Sequence, residues 1–303
     1  MSKKRTIDSF FGSSIKKQKT SNIENEQVLK SEHSTYPFPI LHLPQSMSKE
    51  IASYPAVPAR AINNQPDLDL LYFEPYIPPY VAKDLFDFLR SSLPFYRVEY
   101  TTVFGLDDTS RFDEAGNVVD AKTSKPVPPG AYARYKPRPI PACLEALRRS
   151  TEAATGCVFN FCLVNYYASG ADSISYHSDD ERFLGRDPAI ASFSLGARRD
   201  FMLKHKPTPG ATAEAASASS KPPLKLPLAG GDMVLMRGPT QANWLHSIPK
   251  RTGKNEKDGG RINITFRRAM VKAGTDNYYN YNVGNGSVHV WDKAGKEMVL
   301  WKP

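Results

Sequence analysis

The sequence predicts an α+β fold in which a β-sandwich or barrel follows two amphipathic helices. Two observations carry this. Apolar residues recur at helical spacing as far as Gly156, and from "VFNFCLVNYY" onward they recur at strand spacing. Helices first and strands afterward mark a segregated α+β domain rather than alternating βαβ units.

Order is expected from "LDLLYFEPYI" (68–77). In "PPYVAKDLFDFLRSSLP", Val81, Leu85, Phe88 and Leu89 share one helical face, and Pro94 stops the helix. In "IPACLEALRRSTEAATG", Leu144, Leu147 and Thr151 repeat the pattern, with Gly156 placed to end the helix in a left-handed conformation. Strands follow in "VFNFCLVNYY", "AIASFSLGARRDFMLKH", "GGDMVLMRG" and "RINITFRRAM". The Pro/Ala/Ser-rich stretch 206–223 reads as an insertion at the tip of a hairpin, since its composition cannot pack a core. Residues 276–303 read as an aromatic-rich C-terminal extension with a small hairpin turning at Lys293 to Lys296.

Residues 1–65 are rich in Ser, Lys, Asn, Gln and Pro with little periodicity, and are expected to form a disordered tail. The net charge is +9, and more than half of it lies in the first twenty residues, where Lys3, Lys4, Arg5, Lys16, Lys17 and Lys19 face Asp8 alone. Such a tail points to nucleic acid or nuclear import. No apolar run approaches the ~20 residues of a membrane span, and the N-terminus lacks the apolar stretch of a signal peptide, so no membrane association is expected. The cysteines Cys143, Cys157 and Cys162 have no paired spacing, which argues against a disulfide framework or a cysteine zinc site.

The chemistry concentrates in "NYYASGADSISYHSDDE" (165–181), where acids gather directly after an apolar strand. Acids this close repel one another, so they form either a solvated loop or the surroundings of a cation. In the preceding strand Phe161, Leu163, Asn165 and Tyr167 share a face, which sets two polar groups at the end of an apolar row. His177 and Asp179 are two apart and point to one side of an extended chain. His246 lies in the apolar "WLHSIP". Two histidines and a carboxylate form the facial triad of non-haem iron sites, and zinc also accepts such ligands. In "RINITFR", Arg261, Asn263, Thr265 and Arg267 alternate with Ile262, Ile264 and Phe266, so one face is polar and the other apolar. Guanidinium forks suit carboxylates. A dicarboxylate would need such donors, with Asn165 and Tyr167 completing the cradle.

Taken together, the series "NYY", Asp172, "HSDDE", "IASFSLGARRDF", His246 and "RINITFR" resembles the AlkB family of iron(II)- and 2-oxoglutarate-dependent dioxygenases, in particular its eukaryotic DNA-repair branch, over about residues 70–270. The resemblance implies a double-stranded β-helix (jelly-roll) core flanked by N-terminal helices, within a dioxygenase domain spanning 66–275. It implies Fe(II) on His177, Asp179 and His246, and 2-oxoglutarate on Asn165, Tyr167, Arg261, Thr265 and Arg267. Arg261 would take the far carboxylate and Arg267 would lie toward the iron. The implied reaction is oxidative demethylation of N-alkylated bases such as 1-methyladenine and 3-methylcytosine. It consumes O₂ and 2-oxoglutarate and releases formaldehyde, succinate and CO₂.

On the substrate side, Asp180 is the candidate for favouring a cationic alkylated base over its neutral relative. "YTTVFGLDD" (100–108) resembles the Val-Phe-Gly finger of duplex-acting relatives, which makes Val103, Phe104 and Gly105 candidates for filling the gap left by a flipped base. The alternative is an ordinary strand end with Phe104 buried. Where the family carries a pocket-lining Tyr-Gly-Asp, this chain has "RFDEAG" (111–116), and Phe112 becomes the candidate stacking residue. Near the N-terminus, Ile7, Phe10 and Phe11 in "KRTIDSFF" resemble the box by which proteins dock on the replication sliding clamp, although Lys4 replaces the usual glutamine. The expectation is a monomeric nuclear enzyme acting on duplex DNA. The alternatives are an RNA or single-strand demethylase, or a clamp-binding scaffold with a vestigial metal site.

Overall fold

The computed structural model describes residues 28–54, 58–96, 110–112, 118–120, 138–179, 184–207, 222–251, 259–269 and 287–303. The chain begins with strands β1 (Lys30–Ser31) and β2 (Ile40–Leu41), helix α1 (Gln45–Ser53), and strands β3 (Arg60–Ile62) and β4 (Leu70–Phe73). Helix α2 (Pro79–Ser92), strands β5 (Phe95–Tyr96), β6 (Ser110–Phe112) and β7 (Val118–Asp120), and helix α3 (Glu145–Thr155) follow. The main strands are β8 (Phe161–Tyr167), β9 (Ile174–His177), β10 (Ile190–Gly196), β11 (Arg199–His205), β12 (Leu224–Leu228) and β13 (Met233–Met236). A single-turn helix α4 (Thr240–Asn243) precedes β14 (Trp244–Ile248) and β15 (Arg261–Arg267), and β16 (Val288–Asp292) and β17 (Glu297–Leu300) close the chain.

The helices form for local reasons. Pro79 opens α2, where its missing N–H is one that a helix leaves unpaired anyway. Val81, Leu85 and Leu89 recur every four residues, and Ala82 and Phe86 widen the stripe. Phe88, expected on the buried face, packs at the rim of the core while Phe86 lies inside it. Pro94 disfavours a helical Leu93, which is extended at φ −89°, ψ 144°. Helix α3 ends where Gly156 turns left-handed at φ 68° and donates its N–H to Glu152 O.

Two antiparallel sheets follow. The larger has six strands in the order β3-β4-β13-β10-β15-β8, and the smaller has four in the order β12-β11-β14-β9. From β8 to β11 the chain alternates between them, and it alternates again from β12 to β15. Gly196 makes the crossing from β10 to β11. Its φ is +83°, and a Cβ there would meet Gly260 O at 2.6 Å and the Phe86 ring at 2.8 Å.

Strand alternation divides the buried side chains. Ala191, Phe193, Leu195, Ile262, Ile264 and Phe266 on the outer face of the large sheet pack against α2 and α3. Ile190, Val234 and Met236 on its inner face meet Phe201, Leu203, Leu226 and Trp244 of the small sheet. The inter-sheet space is thus apolar in one part, leaving another for the polar rows of β8, β10 and β15.

The N-terminal expectation needs correcting. Composition predicts a disordered tail over residues 1–65, yet much of 28–65 is built into the fold. Ile40, Leu43 and Ile51 are buried, α1 packs against α3, and β3 extends the large sheet against β4. Two- and three-residue strands leave no periodic signature, and tertiary burial stabilises them in its place. Residues 1–27, including Ile7, Phe10 and Phe11, lie outside the described residues. At the other end β16 and β17 pair around 293–296, and β16 also pairs with β5. Among the described residues, no helix is long and apolar enough to cross a membrane.

Leu85 is 1% exposed at the centre of the helix-to-sheet core. Leu85→Ala is expected to cost about 2–5 kcal/mol in urea unfolding, through lost apolar transfer and the cavity left behind.

Candidate metal centre and its polar cradle

The small sheet brings the histidines together. His246 on β14 pairs with His177 on β9 across the ladder, and their ring centroids are 4.2 Å apart. Asp179 follows two residues after His177, just beyond the strand end. His177 Nε2 lies 4.0 Å from Asp179 Oδ1, and His246 Nε2 lies 3.8 Å from Asp179 Oδ2. The candidate ligand atoms all fall within 4.8 Å of one another, a grouping that could hold a metal ion. His177 Nδ1 sits 2.8 Å from the Ser175 carbonyl, which can only accept. Nδ1 therefore carries the proton and Nε2 keeps its lone pair for a metal. Asp179 and His246 are buried, whereas the His177 side chain is 32% exposed, so the site opens on that side.

Asp179 is a buried carboxylate with a buried partner. Arg267 Nη2 donates to Asp179 Oδ1 at 2.7 Å. Burial alone would push the Asp179 carboxyl upward, but the charges of Arg267, His246 and His177, with the Arg267 hydrogen bond, hold it below the usual carboxylate range. The backbone N–H of Asp179 donates to Gln241 Oε1 at 2.8 Å.

A second polar row runs along the inner face of the large sheet. The β15–β8 register sets Arg261 opposite Tyr167, Asn263 opposite Asn165, Thr265 opposite Leu163 and Arg267 opposite Phe161. On the other side of β15, Asn263 faces Ser194 and Thr265 faces Ser192. Asn263 Nδ2 donates to Ser192 Oγ and to the Phe193 carbonyl. The row between β8 and β15 thus gathers Asn165, Tyr167, Arg261, Thr265 and Arg267 on one surface.

Arg261 is the unusual member. It is 1% exposed, lies over the Tyr167 ring at 5.2 Å, and donates from Nη2 to Ser194 Oγ at 2.8 Å. Its Nε and Nη1 are buried and have no hydrogen-bond partner, and among the described residues no carboxylate pairs with it. Burial, with the charge of nearby Arg199, pushes its pKa down to about 10, against the favourable effect of Tyr167. A buried cation with unused donors is costly, and an incoming carboxylate would satisfy it.

Residues 69–267 match the family model described as the 2OG-Fe(II) oxygenase superfamily. The chain belongs to that superfamily. Its triad of His177, Asp179 and His246 is consistent with Fe(II) binding. Within the superfamily it is related to AlkB-type proteins. It is 39% identical over 135 residues to the human DNA oxidative demethylase ALKBH2, covering 45% of this chain and 49% of that protein. It is 39% identical over 142 residues to the human alpha-ketoglutarate-dependent dioxygenase alkB homolog 3, covering 46% and 48%. The Arabidopsis thaliana DNA oxidative demethylase ALKBH2 is 32% identical over 218 residues, which is 67% of each chain. The chain spans about half the length of the two human relatives it matches.

The sequence reading of "RINITFR" as one polar and one apolar face holds, but both faces are buried. Val103, Phe104, Gly105 and Asp180 lie outside the described residues. Phe112 is placed by its backbone alone, opposite Val118. Sequence reasoning gave no role to Ser192, Ser194, Arg199 or Gln241. The alternation in "IASFSLG" could have revealed both serines. Arg199 donates to the carbonyls of Ser169, Asp172 and Pro249 and so ties down the loop before β9. Its buried role has no local signal in "ARRDF".

Arg267→Met would leave Asp179 buried without its cation. The expected loss is about 3–5 kcal/mol in urea unfolding of the metal-free protein at pH 7. A depressed carboxyl pKa stabilises the fold above its unfolded value, near 4, and that contribution disappears as pH falls through the folded value. The difference between variant and parent is therefore expected to shrink on acidification from neutral pH, as measured by unfolding over a pH series.

Proposed function

We propose that this chain is an Fe(II)- and 2-oxoglutarate-dependent dioxygenase that removes N-methyl groups from alkylated DNA bases, 1-methyladenine and 3-methylcytosine being the expected substrates. The observation that carries the reading is Arg261, a buried guanidinium with unused donors on the sheet face that also bears Arg267, the partner of metal-ligand candidate Asp179. A dicarboxylate keto acid suits that pairing of a cation with a metal site, with one carboxylate for Arg261 and a chelating end for the metal. The DNA assignment is supported by the likeness to proteins named DNA oxidative demethylases.

The chain's own residues have distinct parts in this chemistry. His177, Asp179 and His246 would hold Fe(II) through one side, leaving positions for co-substrate and oxygen. When bound, the iron supplies a redox centre at which O₂ and 2-oxoglutarate are consumed and a substrate C–H is hydroxylated. Arg261, beside Ser194, would bind the distal carboxylate, with Asn165, Tyr167 and Thr265 completing the cradle. Arg267 keeps Asp179 ionised and oriented. The apolar wall of Phe201, Leu203 and Trp244 excludes water from the inter-sheet space. A hydroxylated N-methyl group is a hemiaminal, which breaks its C–N bond to give formaldehyde and the restored base.

We further infer that β8 to β15, alternating between the sheets, wind as a double-stranded β-helix. Asp180 and the finger residues Val103, Phe104 and Gly105, with Phe112, would select and replace the flipped base. The basic N-terminal residues and the DNA-repair relatives support a nuclear site of action, with Ile7, Phe10 and Phe11 as a clamp-docking box.

Duplex and single-stranded oligonucleotides bearing 1-methyladenine, analysed by mass spectrometry, test the reaction. A mass loss of one CH₂, the replacement of N–CH₃ by N–H, is expected with Fe(II) and 2-oxoglutarate together and with neither alone. His177→Ala is expected to abolish it, and an active variant would overturn the metal assignment. Arg261→Met is expected to raise the apparent KM for 2-oxoglutarate by roughly thirtyfold or more, the equivalent of about 2 kcal/mol for losing one partner of a buried charge pair.

A further inference from the structure

The histidines are placed by ladder pairing, but Asp179 is not. It lies beyond the end of β9, where no strand hydrogen bond fixes its backbone. Its carboxylate is held by Arg267, and its N–H is held by Gln241 Oε1 at 2.8 Å. Gln241 is 1% exposed, and its amide nitrogen faces Met236 Sδ at 3.2 Å, which fixes the oxygen toward Asp179.

Gln241 is itself firmly mounted. It sits on α4, whose neighbouring Thr240 exchanges hydrogen bonds with Asp69 through both its hydroxyl roles. Lys206 Nζ donates to the Gln241 carbonyl at 3.0 Å, and Lys206 N donates to Asn243 O. Helix α4 runs directly into β14, which carries His246 five residues after Gln241. One rigid element therefore presents a metal-ligand candidate from its strand and grips the backbone of another with its side chain.

We propose that Gln241 is a positioning residue that fixes the spacing of Asp179 from His246 and thereby sets the metal affinity of the triad. The proposal rests on the metal-binding reading above. Gln241 is not among the candidate ligands, and its contact with the triad runs through the backbone of Asp179. Partners beyond the ligands typically account for about ten- to hundredfold in metal affinity, because they confine a ligand to its binding orientation.

Co(II) titration of the full chain, followed by the visible absorption of the bound ion, tests this. Gln241→Met keeps the side-chain length and removes the acceptor, and is expected to bind Co(II) about ten- to hundredfold more weakly. Gln241→Glu keeps an acceptor oxygen at the same reach and is expected to bind at least as tightly as the parent. A Met variant of parental affinity would overturn the role of Gln241 alone, as would Met and Glu variants that are equally weak. A parent that takes up no Co(II) would overturn the metal reading along with it. Should the Met variant fail to fold, amide hydrogen exchange in the parent decides: slow exchange at Asp179 N–H is expected, and exchange at the open-chain rate refutes the proposal.

Discussion

The site depends on one constraint, the burial of a carboxylate that must stay charged. Asp179 is 3% exposed, and a bare carboxylate in that position would take up a proton. Arg267, equally buried, keeps it ionised from a strand of the other sheet. Inter-sheet packing and the charge state of the candidate ligand are therefore the same problem. If the sheets separated, Asp179 would lose the cation that makes it a ligand.

The rest of the architecture serves this arrangement. The small sheet contributes the histidine pair by register, since a one-residue slip of β9 against β14 would turn one imidazole away. The large sheet contributes the cations along β15, spaced by strand alternation so that Arg261 and Arg267 lie at opposite ends of one row. The helices cover the outer face and leave the inner one to chemistry. Arg261 balances nothing within the described residues, and its pKa is pushed down accordingly. A fold that keeps such a group buried sacrifices stability for it, and the proposed keto-acid carboxylate would offset that cost.

Much of this was legible in the sequence, where each feature had a local cause. The amphipathic stripe of α2 and the glycine ending α3 follow from helical spacing and backbone freedom, so they could be read directly. The polar row of "RINITFR" could be read from alternation, and the triad from residue types joined by a family resemblance. The resemblance was needed because nothing local joins His246 to a pair of residues more than sixty positions earlier. Residues 28–65 carry no such local cause, because Ile40, Leu43 and Ile51 acquire their burial from a core that distant elements, α2 and α3 among them, supply. Gln241 and Arg199 were invisible for a similar reason: each acts through hydrogen bonds to distant backbone, which no periodicity records.

One ion and one keto acid are proposed to meet between these sheets. An anaerobic titration with Fe(II) and 2-oxoglutarate tests it most directly, because a visible charge-transfer absorption develops only when a keto acid chelates the metal. This absorption is expected to saturate at one equivalent of iron and to be lost in His246→Ala. An absorption that never develops in the parent, or one that persists undiminished without His246, would contradict it.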